Sequence, residues 1–75
     1  MRIERNKGSI KMGGEFIIYH IPSDTFVSEF RGIFKTSEFP EDYQVFDSEL
    51  QAMEAVEQIS RENHFPESDF SIEEL

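Results

Sequence analysis

The chain has 75 residues, no cysteine and a formal net charge of −9 at pH 7. This length allows one domain, and the absence of cysteine excludes a disulfide framework and a Cys-based zinc site. Eight Phe and two Tyr can supply an apolar core, so we expect a folded domain although 31% of the residues are charged.

The charge is distributed unevenly along the chain. Residues 1–12 carry a net +3, whereas residues 13–75 carry −12. Because this acidic field repels phosphates, it argues against direct binding to nucleic acid or to a membrane and favours a basic protein partner. The longest apolar run, residues 16–19, is too short to span a bilayer. With no recognisable signal peptide and no cysteine, the sequence predicts a cytoplasmic protein.

Residues 1–13 are predicted to be a flexible or weakly structured basic segment, and residues 14–75 to be a single domain. Residues 6–9 have the composition of a turn, which Ile3 and Ile10 could flank in a short ribbon. A frayed tail is an equal alternative, with Met12 as a second candidate start of translation.

A hairpin is predicted next. Residues 15–21 form an interior strand because apolar side chains point to both of its faces. Residues 25–34 form the returning strand, after a loop of about four residues that contains Pro22. On the returning strand, Phe26, Phe30 and Phe34 are predicted to share one face, with Gly32 at a bulge or bend.

The remaining strands are short. Residues 35–42 are predicted to be a loop and residues 43–46 a third strand. Residues 69–75 alternate Phe70 and Ile72 with polar side chains, which favours a last strand, although a short helical turn is the alternative.

The helix is the best specified element and is predicted to run from Ser48 to about Asn63. Ser48 and Gln51 form a capping box, and a left-handed Asn63 followed by Pro66 ends the helix. Its inward side is predicted to comprise Ala52, Met53, Ala55, Val56 and Ile59.

These elements predict a small α+β domain. An antiparallel sheet of three or four strands, in the order β-β-β-α-β, carries one amphipathic helix packed on one face. The surface formed by Phe26, Phe30 and Phe34 is the predicted seat of the helix.

No catalytic, metal or cofactor site is predicted. His20 is interpreted as a partly buried, edge-facing side chain and His64 as a partner of the last helix carbonyls. Their spacing does not bring them together with a carboxylate, as a metal site requires. The acidic pairs lack a calcium-loop pattern, and the serines lack a nucleophile elbow. We therefore expect that the protein is not an enzyme.

An acidic stretch interleaved with aromatic residues is the candidate partner-binding site. Aromatic side chains supply contact energy at protein interfaces, and carboxylates steer a basic partner. The competing interpretation is a solubilising surface whose aromatic residues pack inside. The candidate residues are Glu38, Phe39, Glu41, Asp42, Tyr43, Asp47 and Glu49.

The sequence thus favours a small acidic, non-enzymatic protein-binding module that modulates or inhibits a larger partner, such as a basic nucleic-acid-processing protein. In the extreme case it is a nucleic-acid mimic of a phage or bacterial type, in which carboxylates imitate phosphates. The alternative is a small-ligand-binding protein that acts as an oligomer with a pocket at the subunit interface.

Overall fold

The structure is a computed structural model, and it describes residues 14–75. The predictions for residues 1–13 lie outside the described residues. The elements of the described chain are β1 (Phe16–His20), β2 (Thr25–Glu29), β3 (Lys35–Ser37), α1 (Glu49–Asn63) and β4 (Phe70–Glu74). Single turns of 3₁₀ helix lie at Ile21–Ser23, Pro40–Asp42 and Glu67–Asp69.

The strands form one antiparallel sheet in the spatial order β3-β2-β1-β4. Because α1 packs on one face of this sheet, the predicted α+β fold and the order β-β-β-α-β are confirmed. β1 lies between β2 and β4, as predicted for an interior strand. The opposite face carries no helix in the described part of the chain and is called the helix-free face below.

β4 pairs with β1 in register over its whole length, with Ile72 opposite Ile18. The last strand that the alternation favoured is therefore present, at Phe70–Glu74. Since side chains alternate along a strand, Phe70 and Ile72 pack against the core under α1, and Glu73 lies on the helix-free face.

The hairpin between β1 and β2 has a four-residue loop, residues 21–24, which ends with Asp24 in the left-handed conformation (φ 57°). Tyr19 therefore lies opposite Phe26, and both rings occupy the helix-free face with centroids 5.1 Å apart. The prediction that Phe26 lies under the helix is wrong. Val27, the next residue, belongs to the core cluster and is fully buried.

β2 ends at Glu29 instead of continuing through Gly32 as predicted. Its pairing with β3 is irregular between Val27 and Glu29, and this break lets Phe30 enter the core. Gly32 then turns the chain with a φ of +80°, a conformation that glycine adopts at little cost. The chain reverses, and Lys35 begins β3 where a loop was predicted.

The strand predicted at residues 43–46 is wrong, but this segment joins β1 to β2 by single contacts. The Gln44 N–H donates to the Val27 carbonyl (2.9 Å). Phe46 and Phe16 exchange two backbone hydrogen bonds, of 2.8 and 2.9 Å, in an isolated bridge. The segment therefore connects the two strands beyond the end of their own pairing.

α1 begins after Ser48, as the sequence predicts. Ser48 Oγ accepts a hydrogen bond from the Gln51 N–H (3.2 Å). The Gln51 side chain accepts from the backbone N–H of Asp47 (3.2 Å), one residue before the position expected for a capping box. Both bonds satisfy backbone donors at the helix start.

The end of α1 is shifted by one residue from the prediction. Asn63 remains helical, and its side-chain amide donates to the Ile59 carbonyl (3.0 Å). His64 adopts the left-handed conformation (φ 59°), and its backbone N–H bonds to the Ser60 carbonyl. Backbone geometry at His64 therefore ends the helix.

The core lies between α1 and the sheet. Met53 was predicted to point inward but is 48% exposed, because it lies at the margin of the apolar stripe. The buried residues of the cluster under α1 are Ile18, Val27, Phe30, Phe46, Ala52, Ala55, Val56 and Ile59, and Ile17 is buried as well.

Candidate protein-binding site

The loop that follows β3, residues 38–42, holds four of the candidate residues and is called the acidic loop below. Ser37 organises it. Ser37 Oγ accepts a hydrogen bond from the Phe39 N–H (3.0 Å) and donates one to Oδ2 of Asp42 (3.0 Å). The Asp42 N–H donates in turn to the Phe39 carbonyl (2.9 Å). The acidic loop is therefore held in a defined conformation by its own hydrogen bonds.

The outer surface of the acidic loop presents one aromatic ring between two carboxylates. The side chains of Glu38, Phe39 and Glu41 are all exposed. Phe39 is 54% exposed, so it is not packed inside as the interpretation of a purely solubilising surface requires. An accessible aromatic ring on a fixed backbone is the kind of group that anchors protein interfaces.

Tyr43 anchors the acidic loop to the sheet. Its half-buried ring stacks on Phe26, with centroids 4.5 Å apart and planes 31° apart. Its hydroxyl donates to the Glu38 carbonyl over 3.3 Å. Of the candidate residues, Tyr43 thus has a structural role that the competing interpretation anticipated.

Three aromatic rings lie in a row on the helix-free face, in the order Tyr19, Phe26 and Tyr43, and are called the aromatic ladder below. The centroid separations are 5.1 and 4.5 Å. All three side chains are half-buried. Tyr19 and Phe26 are not among the residues predicted for the candidate site. The signal that could have found them is the four-residue loop, because closing β1 onto β2 with this loop puts Tyr19 opposite Phe26.

Carboxylates lie around the aromatic ladder. The Tyr19 hydroxyl donates a hydrogen bond to Oδ1 of Asp24. This bond raises the pKa of Tyr19 above its ordinary value of 10.0, with smaller contributions from burial and from the negative charges of Asp24 and Glu73. At the other end of the ladder, Asp42 closes the acidic loop beside Tyr43. The ladder is therefore an apolar strip with a negative surround.

Asp47 and Glu49 lie at the start of α1. Asp47 precedes the helix cap, and Glu49 is in the first turn of α1, where its charge complements the helix dipole. The segment of residues 44–46 separates both from the acidic loop. Within residues 14–75, no hydrogen bond links either side chain to the loop. Their membership of the same partner-binding surface as the acidic loop stays a prediction.

The two histidines lie apart in the structure. His20 ends β1, an interior strand, and its ring packs among Phe34, Phe65 and Phe70 at centroid distances of 5.0 to 5.9 Å. Its Nδ1 lies 2.8 Å from Ser23 Oγ, and its buried Nε2 has no hydrogen-bond partner among residues 14–75. His64 is exposed at the helix end. In the described range, no three His, Asp or Glu side chains converge as a metal site requires.

Two grooves flank α1, and both are open to solvent. The larger, about 320 Å³, lies beside Phe30 and is bordered by Arg31 and Glu54. The smaller, about 200 Å³, separates Met53 from Phe70 of β4. Small-molecule sites fix their ligand with a few convergent polar groups in an enclosed cleft, and the one buried unpartnered polar atom found in the described chain, His20 Nε2, lines neither groove. A ligand pocket between subunits remains a prediction.

No helix within residues 14–75 has both the length and the apolar character needed to cross a bilayer. Comparison of the chain with protein-family models, with curated proteins and with solved structures gives no match in any of the three.

Proposed function

We propose that this protein is a non-enzymatic module that binds the basic surface of a larger protein. The observation that carries the proposal is Phe39, which is 54% exposed between Glu38 and Glu41 on a loop held by its own hydrogen bonds. Because this loop is already ordered, little conformational entropy is lost on binding. The ring supplies contact area, and the carboxylates accelerate encounter with a positive surface.

The charge of the whole domain supports a basic partner. Residues 13–75 carry a net −12, which attracts positive surfaces over a Debye length of about 8 Å at physiological salt. Nucleic-acid-processing proteins present such surfaces to phosphates. The module would modulate or inhibit such a partner by covering its basic groove, as a nucleic-acid mimic does. The absence of cysteine is consistent with binding in the cytoplasm.

The proposal is tested by retention of basic proteins on the immobilised full chain. Proteins from a cell lysate are applied at roughly 50 mM salt and eluted at roughly 500 mM, because charge-driven contacts weaken steeply over this range. The test variants are Phe39→Ser and the double variant Glu38→Gln, Glu41→Gln. The matched control is Glu54→Gln, Glu57→Gln, which removes the same charge from exposed positions on α1.

We expect the wild type and the α1 control to retain the same basic protein at low salt and both loop variants to lose it. Retention of no basic protein would overturn the proposal. Equal retention by the loop variants would also overturn it, because binding would then follow net charge alone.

A further inference from the structure

We propose that the aromatic ladder binds the guanidinium groups of an arginine-rich segment of the partner, in preference to lysine. This inference rests on the proposed function and adds the chemistry of the partner. The ladder lies on the face of the sheet that α1 leaves uncovered, within the described part of the chain. It continues from the acidic loop through Tyr43, so both surfaces can contact one partner.

The ring geometry suits planar cations. Tyr19 and Tyr43 stand on either side of Phe26, at centroid distances of 5.1 and 4.5 Å. The three rings are half-buried at fixed positions, and a guanidinium group stacks on an aromatic ring because it is flat and weakly hydrated. The chain already contains one contact of this type, since the guanidinium carbon of Arg31 lies 5.0 Å from the centroid of Phe30.

The carboxylates around the ladder favour the same ligand. Asp24 uses Oδ1 to accept from Tyr19 and retains Oδ2 for a second donor. Glu73 lies on the same face as Tyr19, and Asp42 lies near Tyr43 at the opposite end. Arginine can stack its plane on a ring and still donate to a carboxylate from its edge, whereas the ammonium of lysine is a compact and strongly hydrated point charge.

Charge complementarity argues against the acidic domain of a second copy as the occupant of this face. The rings are surrounded by carboxylates, and each copy carries a net −12 over residues 13–75. Two such faces would repel each other. The occupant with complementary chemistry is therefore a cationic segment, and the proposed function assigns that segment to the partner.

The chain supplies its own probe for the test. It contains two tyrosines and no tryptophan, and both tyrosines belong to the ladder. Tyrosine fluorescence of the full chain is titrated with hexaarginine and, in parallel, with hexalysine. We expect hexaarginine to bind about fivefold or more tightly than hexalysine, given the size of cation–π contacts at exposed rings.

The outcomes separate the two proposals. Equal affinity for the two peptides would overturn the arginine preference and leave the binding of basic partners intact. Binding of neither peptide would overturn both. Preference for hexalysine would contradict the stacking geometry.

Ring removal localises the contact. Tyr43→Leu should lower the affinity for hexaarginine about two- to fivefold and change the affinity for hexalysine less, whereas Tyr43→Phe keeps the ring and should behave as the wild type. If Tyr43→Leu does not fold, NMR of the wild type replaces it. Hexaarginine should then shift the ring protons of Tyr19, Phe26 and Tyr43, and shifts confined to α1 would overturn the assignment.

Discussion

Phe26 and Tyr43 stack with their centroids 4.5 Å apart and their planes 31° apart, although they belong to different parts of the chain. Phe26 is fixed by β2, whereas Tyr43 follows the acidic loop and has no strand of its own. This contact, with the hydrogen bond from Tyr43 to the Glu38 carbonyl, holds the loop against the sheet. The position of the exposed Phe39 therefore depends on packing at the aromatic ladder.

Replacing Tyr43 should separate the ring contact from the hydroxyl contact. Tyr43→Leu should lower the free energy of unfolding by about 1 kcal/mol beyond the loss of buried area, the usual size of an aromatic pair. Tyr43→Phe should cost less than about 1 kcal/mol, because its hydrogen bond is long and reaches an exposed loop. Urea denaturation of the two variants measures both effects. Equal losses in the two variants would show that the stacking contributes nothing.

Removing the carboxylate of Asp24 should lower the pKa of Tyr19. The hydrogen bond to Asp24 is the largest cause of the raised pKa, ahead of burial and of the charges of Asp24 and Glu73. In a Tyr43→Phe background, Tyr19 is the chain's one remaining tyrosine, so the ultraviolet absorbance of tyrosinate reports its titration directly. We expect Asp24→Asn to shift the titration towards the ordinary value of 10.0. An unchanged titration curve would contradict the assigned cause.

The hydrogen bond between Tyr19 and Asp24 makes the free energy of unfolding depend on pH in the alkaline range. Because the pKa of Tyr19 is raised in the folded state, the folded chain holds the phenolic proton more tightly than the unfolded chain. The stabilisation is fully present below about pH 10, the unfolded pKa, and is lost as the pH rises through the folded pKa. The stability difference between wild type and Asp24→Asn should therefore shrink above that pH.

The elements that the sequence predicted correctly are those with strong local signals. Ser48 caps the helix through chemistry that involves only its near neighbours. The last strand, β4, follows from the alternation of Phe70 and Ile72 with polar residues. A sheet under the helix follows from the apolar stripe along one side of α1. Each of these depends on a few adjacent residues, so no knowledge of the tertiary contacts was needed.

The wrong predictions occur where the pairing register of a strand decides which face of the sheet a residue occupies. Because side chains alternate, a shift of one residue exchanges the two faces of a strand. Phe26 was grouped with Phe30 by counting along one straight strand, but the irregular pairing between Val27 and Glu29 breaks that count. Only the partner strand, β3, reveals the break, and the sequence alone did not place β3.

The residues of the candidate site were predicted only in part, because strand pairing brings some of them to it. The acidic loop and its exposed Phe39 are local features, and the structure keeps them together. Asp47 is near the loop in sequence but is separated from it by a segment that bridges β2 to β1. Tyr19 joins the site only through strand pairing, which acts across the fold.

Replacing His20 with Phe should leave the domain as stable as the wild type or more stable. Its Nε2 is buried among three phenylalanine rings with no hydrogen-bond partner in the described part of the chain, which costs about 1–3 kcal/mol. The substitution removes this cost but also loses the contact between Nδ1 and Ser23, worth about 1 kcal/mol. Ser23→Ala measures that second loss alone. If His20→Phe destabilises the domain more than Ser23→Ala does, His20 Nε2 must have a hydrogen-bond partner in solution, and the prediction is wrong.

Truncation should cost much less stability at Met53 than at Ile59, although both were predicted to face the core. Ile59 is fully buried, whereas Met53 is 48% exposed. Met53→Ala should change the free energy of unfolding by less than about 0.5 kcal/mol, as most surface substitutions do. Ile59→Ala should lower it by about 2–5 kcal/mol, because a cavity remains where the side chain packed.

The loss expected for Ile59→Ala is a large share of the total free energy of unfolding of this domain. At 0.05–0.15 kcal/mol per residue, a chain of this length is stable by roughly 4–11 kcal/mol, so Ile59→Ala can unfold it outright. Ile59→Val removes a single methylene and should cost about 0.5–1.5 kcal/mol, which keeps the measurement possible. Denaturant midpoints for Met53→Ala and Ile59→Val give the comparison. A larger loss at Met53 than at Ile59 would show that the helix is rotated on the sheet, with Met53 turned towards β4 and the core.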